Sequence, residues 1–183
     1  MMYESTRLSN HMFSALVVNK PGVMAKITGL ITRRGFNIES MSSGDAKEKG
    51  MIRLTFVIRC DRRSFEQLQK QIYKVIDTIK VTPIVPANKL EREMALVKIR
   101  SNRSNLTELH QLIGLSGAKV MDSSRCGFIV EMVGSTDEVN RFIGMVPQND
   151  IVEIARTGVT AINRWDPKDV NEQHFKLSAQ NIP

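Results

Sequence analysis

Residues 12–40 read MFSALVVNKPGVMAKITGLITRRGFNIES, and this stretch decides the fold. Met12–Val18 is an apolar, strand-forming run that stops at Asn19-Lys20-Pro21-Gly22. Val23, Ile27, Leu30 and Ile31 then recur at helical spacing, so an amphipathic helix follows the strand. Pro21 suits the first helical turn, where a backbone N–H would lack a partner anyway. Arg33 and Arg34 fall in the last turn, where cations oppose the negative end of the helix dipole, and Gly35 suits a left-handed cap. Phe36, Ile38 and Ser40 alternate with Asn37, Glu39 and Met41. That period predicts a half-buried strand with the first three residues facing the core.

Outward from this stretch the unit completes itself. The polar run Gly44–Gly50 predicts a hairpin connection into a strand with Ile52, Leu54, Phe56 and Ile58 on one face and Arg53, Thr55, Val57 and Arg59 on the other. Asp61 or Ser64 can cap a second helix, whose buried stripe is Phe65, Leu68, Ile72 and Val75. Ile79–Ile84 supplies a fourth strand. Strand–helix–strand–strand–helix–strand is the ferredoxin-like order, with both helices on one face of an antiparallel sheet. The other face is bare and partly apolar, so it or a sheet edge should be covered by another copy or domain.

The order then repeats. Met94–Ile99 reads as a strand, Leu106, Leu109 and Ile113 mark a helix closed by Gly114, and Ala118 to Met132 forms a hairpin around Cys126-Gly127. Ser135 and Glu138 make a capping box for a helix carrying Val139, Phe142, Ile143 and Val146, stopped by Pro147. Ile151–Ala155 and Val159–Ile162 supply the closing strand, with a break at Gly158. The fold class is therefore α+β, two tandem ferredoxin-like βαββαβ domains. The expected division is a first domain at 11–86, a linker at 87–93, a second domain at 94–165 and a polar, frayed tail at 166–183.

The 183 residues leave room for one medium or two small domains with real cores. No apolar run approaches the roughly 18–20 residues of a membrane span, and the amino terminus lacks the apolar segment of a secretory signal. Cys60 and Cys126 lack CxxC spacing and read as reduced, partly buried thiols of a cytoplasmic protein. Residues 1–90 carry a charge of +8 and residues 91–183 a charge of −1. Nucleic acid is not expected as a partner, because only Tyr3, Phe13 and Phe36 precede residue 50 as aromatics and none interleaves with arginines.

Catalysis finds no footing. His11, His110 and His174 do not pair at metal-ligand spacing, and no nucleophile elbow, dinucleotide fingerprint or phosphate loop is present. Ser42-Ser43-Gly44-Asp45 reads as an ordinary hairpin turn. Gly114-Leu115-Ser116-Gly117 has the spacing of an RNA-clamping loop but no basic residue between its glycines, so it reads as a helix stop.

Asn19-Lys20-Pro21-Gly22-Val23-Met24 does carry chemistry. A strand end meets a helix start there, where unpaired N–H groups and the positive dipole end favour an anion. With no Cβ on Gly22, a carboxylate could reach the N–H groups of Gly22, Val23 and Met24. The Asn19 oxygen could accept from an ammonium, while Val23 and Met24 offer an apolar wall. These groups suit a free α-amino acid. Equally, Pro-Gly can simply turn the corner with Asn19 as cap. Asn37, at the start of the next strand, is a second candidate facing a neighbouring subunit or ligand, and an exposed strand asparagine explains it as well.

Asn19–Met24, Arg33–Ser40, Glu91–Ile99 (EREMALVKI) and Glu153–Gly158 (EIARTG) together resemble the small regulatory subunit of acetolactate synthase, also called acetohydroxyacid synthase, in order from about His11 to Trp165. The resemblance implies that the first domain is an ACT domain, a ferredoxin-like amino-acid sensor, and that the chain is not catalytic alone. It implies a catalytic large subunit as partner, which holds thiamine diphosphate, magnesium and FAD and condenses pyruvate with pyruvate or 2-oxobutyrate. It further implies activation of that subunit, feedback inhibition by valine or another branched-chain amino acid, and a homodimer through ACT domains. The effector would lie between two chains, touching Asn19, Gly22, Val23 and Met24 of one and Asn37 and Ile38 of the other. Met51-Ile52-Arg53 departs slightly from the family pattern, where a serine often precedes the arginine. The competing reading is a stand-alone tandem ACT sensor acting on a transcriptional or other protein partner.

Overall fold

A computed structural model describes residues 8–165. The expected tail at 166–183 and His174 lie outside the described residues. The first unit runs β1 (Ser9–Val18), α1 (Val23–Arg33), β2 (Ile38–Asp45), β3 (Met51–Cys60), α2 (Arg62–Tyr73) and β4 (Thr78–Ile84). After a short turn at Pro86–Asn88 come β5 (Lys89–Arg100), α3 (Leu106–Ser116), β6 (Lys119–Ser124), β7 (Gly127–Gly134), α4 (Thr136–Met145), β8 (Ile151–Arg156) and β9 (Thr160–Asn163). The first sheet has the order β2-β3-β1-β4 and the second β6-β7-β5-β8, antiparallel throughout. Both are ferredoxin-like, as the hydrophobic periods predict.

Each sheet buries one face under its two helices. Val23, Ile27 and Ile31 of α1 and Phe65, Leu68 and Ile72 of α2 pack on Phe13, Ala15 and Val17 of β1 and on Leu54, Phe56 and Ile58 of β3. In the second unit Leu109, Ile113, Val139 and Phe142 pack on Ala95, Val97, Ile99, Phe128 and Val130. Asp61, not Ser64, caps α2 by accepting from the Ser64 N–H at 3.0 Å. Ser135 and Glu138 form the expected capping box on α4.

Four local expectations are corrected. Pro21 lies before α1, whose N-cap is Gly22, so it shapes the turn and not the helix. Residues 89–93 are not linker, because β5 starts at Lys89 and its first four residues pair with β9. Helix α3 passes through Gly114 and ends at Gly117, since a single exposed glycine costs only about 1 kcal/mol and does not stop a packed helix. Leu106, read together with Leu109 and Ile113 as marking that helix, is exposed in its first turn while the other two are buried. A β-bulge between Ile38 and Ser40 shifts the register of β2. Ile38 and Met41 consequently face the helices, whereas Ser40 and Ser42 sit opposite Val57 and Thr55 on the other face. A two-residue period cannot reveal an inserted residue.

The face of the first sheet that lacks helices is covered from the second unit. Val159 and Ala161 pack on Met12, Val57 and Ile84. The Asn163 side chain accepts from the Val85 N–H at 3.0 Å and donates to the Pro83 carbonyl at 3.0 Å. Strand β5 anchors this strap. Glu93, 4% exposed, receives two hydrogen bonds from Arg156 at 2.6 and 2.8 Å, and Arg156 also donates to Asn140 at 2.9 Å. The Glu93 carboxylate, against the smaller opposing effect of burial, holds the Arg156 guanidinium above its ordinary pKa. Truncating Glu93 leaves the partly shielded guanidinium without its carboxylate. Glu93→Ala is expected to cost about 1–3 kcal/mol, less than a fully buried pair because Arg156 keeps some solvent, and urea unfolding measures it.

Hydrogen bonds from Ser64 and Ser135 hold the carboxyl groups of Asp61 and Glu138, respectively, below the usual carboxylate range. Groups with a depressed folded pKa stabilise the fold above their unfolded pKa and cease to do so as pH falls through the folded value. The urea midpoint is therefore expected to fall below about pH 4, and less steeply in the Asp61→Asn, Glu138→Gln double variant.

Candidate functional site

The site is built where β1 hands over to α1. Backbone bonds from Val18 N–H to the Asp77 carbonyl and from Asn19 N–H to the Gly50 carbonyl, each 2.9 Å, fix the end of the strand. The chain then turns through Gly22 at φ 83°. Side chains with a Cβ are disfavoured at that angle, which accounts for glycine by itself. A Cβ there would meet no atom within 4 Å, so open space lies in front of the turn.

Helix α1 has no side-chain cap and no acidic residue in its first turn. Asn19 is exposed and does not cap it. The Val23 N–H, expected to face a ligand, instead donates to the Lys20 carbonyl at 3.3 Å. The N–H groups of Gly22 and Met24 have no backbone partner among the described residues. Val23 is buried in the core and Met24 half-buried against it, so of the two only Met24 retains surface for an apolar wall. The positive end of the dipole thus carries no side-chain cap and faces open space at Gly22.

Sequence reasoning missed the acidic group beside this helix start. Asp77, 7% exposed, accepts from Lys26 Nζ at 3.1 Å and lies 3.8 Å from Lys20 Nζ. It neutralises one lysine and orients both at the helix start. Lys26 and Asp77 are 51 positions apart, so no local pattern could join them.

Asn37 and Ile38 stand elsewhere. The start of β2 pairs with Ile58, whereas the loop after β1 lies near Met51, so the two sets occupy opposite ends of the sheet. The 11 residues of α1 separate them by about 16 Å. Asn37 is exposed, and among the described residues its amide reaches only Glu39, at 3.4 Å. Within one chain the six candidates do not converge. Two open grooves, of about 510 and 530 Å³, lie along α2 and at the junction of β2 with the second unit, and neither includes the strand–helix loop.

No group of histidine, cysteine, aspartate and glutamate among the described residues could hold a metal ion. No described helix is long and apolar enough to cross a membrane. Burial, and secondarily the charge of Asp61, pushes the Cys60 thiol up to about 11. Cys126 is exposed rather than partly buried, because it sits in the tight turn between β6 and β7. Iodoacetamide at neutral pH is expected to alkylate Cys126 and to spare Cys60 until denaturant is added, as peptide mass mapping would show.

The chain is a tandem ferredoxin-like protein with an open helix start after β1, and the family match makes its first unit an ACT domain. A family described as the AHAS small subunit-like ACT domain matches residues 13–80, and the small subunit of acetolactate synthase matches residues 92–165. The acetolactate synthase small subunit of Bacillus subtilis is 41% identical over 149 residues, 81% of this chain and 87% of that protein. That of Aquifex aeolicus is 35% identical over 159 residues, covering 86% and 83%. The crystal structure of the Thermotoga maritima acetolactate synthase small subunit superposes with a TM-score of 0.82 at 44% identity, covering 86% of this chain and 99% of that one. The chain belongs to the acetolactate synthase small-subunit family.

Proposed function

We propose that this chain is a non-catalytic regulatory subunit that binds the catalytic large subunit of acetolactate synthase, raises its activity and makes it sensitive to valine or another branched-chain amino acid. The uncapped start of α1, facing open space at Gly22, is the observation that carries this reading. In it, the effector carboxylate meets the N–H groups of Gly22 and Met24, the Asn19 oxygen accepts from its ammonium, and Met24 borders its side chain. Val23 contributes by seating the helix start in the core. Thiamine diphosphate, magnesium and FAD belong to the catalytic partner, and no chemical step falls to this chain.

A second copy supplies Asn37 and Ile38. Strand β2 is an edge of its sheet. A two-fold axis that set β2 antiparallel to its copy would carry the start of one β2 to the far end of the other. That far end is where the loop after β1 sits, so a homodimer through the first domains is geometrically able to close the site. The effector then inhibits only to the extent that it binds the inhibited arrangement better than the active one. A coupling of about 1–3 kcal/mol corresponds to roughly 5–150-fold. A stand-alone sensor would share the first domain but would not retain a thiamine-dependent protein on co-purification.

Gly22→Asp is expected to abolish inhibition by valine in the reconstituted enzyme, because a carboxylate would occupy and repel the effector's own. Aspartate tolerates positive φ better than most residues, so the turn should survive at a cost of about 1 kcal/mol. Asn37→His should act similarly from the opposite wall. Full valine sensitivity in either variant would overturn the site assignment, and activity without valine checks assembly.

A further inference from the structure

We infer that the segment Gly158–Thr160, pinned to β2 by Ser40 and Ser42, transmits effector occupancy at the start of β2 to the second domain. This rests on the effector site proposed above and adds a regulatory role for three residues outside that site. The bulge in β2 turns both hydroxyls to the face away from the helices. Ser40 Oγ accepts from the Val159 N–H at 2.9 Å, and Ser42 Oγ donates to the Val159 carbonyl at 2.8 Å. Both backbone groups of one residue are thus held by two side chains of one strand. Thr160 Oγ1 adds a contact to Ser42 Oγ at 3.2 Å.

Steric fit makes the junction unforgiving. A Cβ on Gly158 would lie 2.8 Å from the Met41 carbonyl oxygen and 2.9 Å from Ser40 Oγ, and Gly158 also has φ 76°. The Val159 side chain, 4% exposed, is buried with Val57 and Ile84 of the first domain. On its other side the segment is fastened to β5. Thr157 N–H donates to the Met94 carbonyl at 3.0 Å, the Met94 N–H donates to Thr157 Oγ1 at 3.1 Å, and Arg156 grips Glu93.

Ser40 lies two residues, about 7 Å, beyond Ile38 on the same strand. A shift of Asn37 and Ile38 on closing around an effector therefore moves the hydroxyls that hold Val159. The short, doubly bonded path from Val159 through Thr157 to Met94 passes the shift to the second sheet. A groove of about 530 Å³ lined by Ser42, Thr157 and Thr160 borders the pins and leaves room for them to release. Val159 is closely packed, and because packed interfaces switch between arrangements and do not deform continuously, this contact suits a two-state element.

The test separates binding from response. Wild type, Ser40→Ala/Ser42→Ala, Ser42→Thr and Gly158→Ala are each titrated with valine, leucine and isoleucine by calorimetry, then combined with the cognate catalytic subunit for inhibition curves. The double alanine variant is expected to bind the effector within twofold of wild type while its inhibition midpoint rises at least fivefold. Ser42→Thr, which keeps the hydroxyl, should behave as wild type, and Gly158→Ala should reproduce the uncoupling from the other side of the contact. Unchanged inhibition in the double variant overturns the inference. So does a parallel loss of binding and inhibition, which would place the serines in the pocket itself. Absence of effector heat in the wild-type protein is a distinct result that overturns the underlying site and this inference with it.

Discussion

The molecule turns on one constraint, the return of the chain after β8 onto the bare face of the first sheet. A four-stranded sheet with two helices on one side leaves apolar surface on the other. Here Val159 and Ala161 cover part of that surface, next to Val57 and Ile84. The covering residues come from the far end of the chain, so the two units are not beads on a linker. Strand β5 belongs to both arrangements, pairing with β9 through Lys89–Arg92 and with β7 and β8 beyond.

This constraint also explains two sequence blocks that a generic fold does not require. In the run at 91–99, Glu93 is buried and clamped by Arg156 of the run at 153–158. Thr157 stitches to Met94, and Gly158 passes a backbone carbonyl too closely for any side chain. Both blocks serve the same turn. Their regularity is structural, while the loop after β1 has a different character. It leaves N–H groups, an amide and two lysines facing space, with a buried aspartate beneath. One region closes the fold and the other keeps a helix start open.

Much of this was legible in the residues. Hydrophobic period, cap residues and turn glycines located every helix and nearly every strand, because those signals are local. The capping box at Ser135 and Glu138 and the stop at Gly35 followed from elementary hydrogen-bond accounting. The candidate loop was readable for the same reason, since a strand end, a proline, a glycine and a helix start are contiguous. Asp77 was not readable, as its service to Lys26 spans the whole first unit. Nor was the loss of the Val23 N–H to the Lys20 carbonyl, which depends on the turn adopted at Gly22.

By itself the sequence determined the two βαββαβ units, their helix ends and the chemistry available at residues 19–24, because neighbouring residues dictate torsions, caps and amphipathic faces. Only the tertiary structure decided which face Ser40 and Ser42 present, since one bulged residue reverses a strand's alternation. It alone decided that Gly158–Ala161 lies on the first sheet, and that Asn37 and Ile38 stand at the far end from the loop they are paired with. Those outcomes depend on contacts between residues distant in the chain, whose free energy no local window contains.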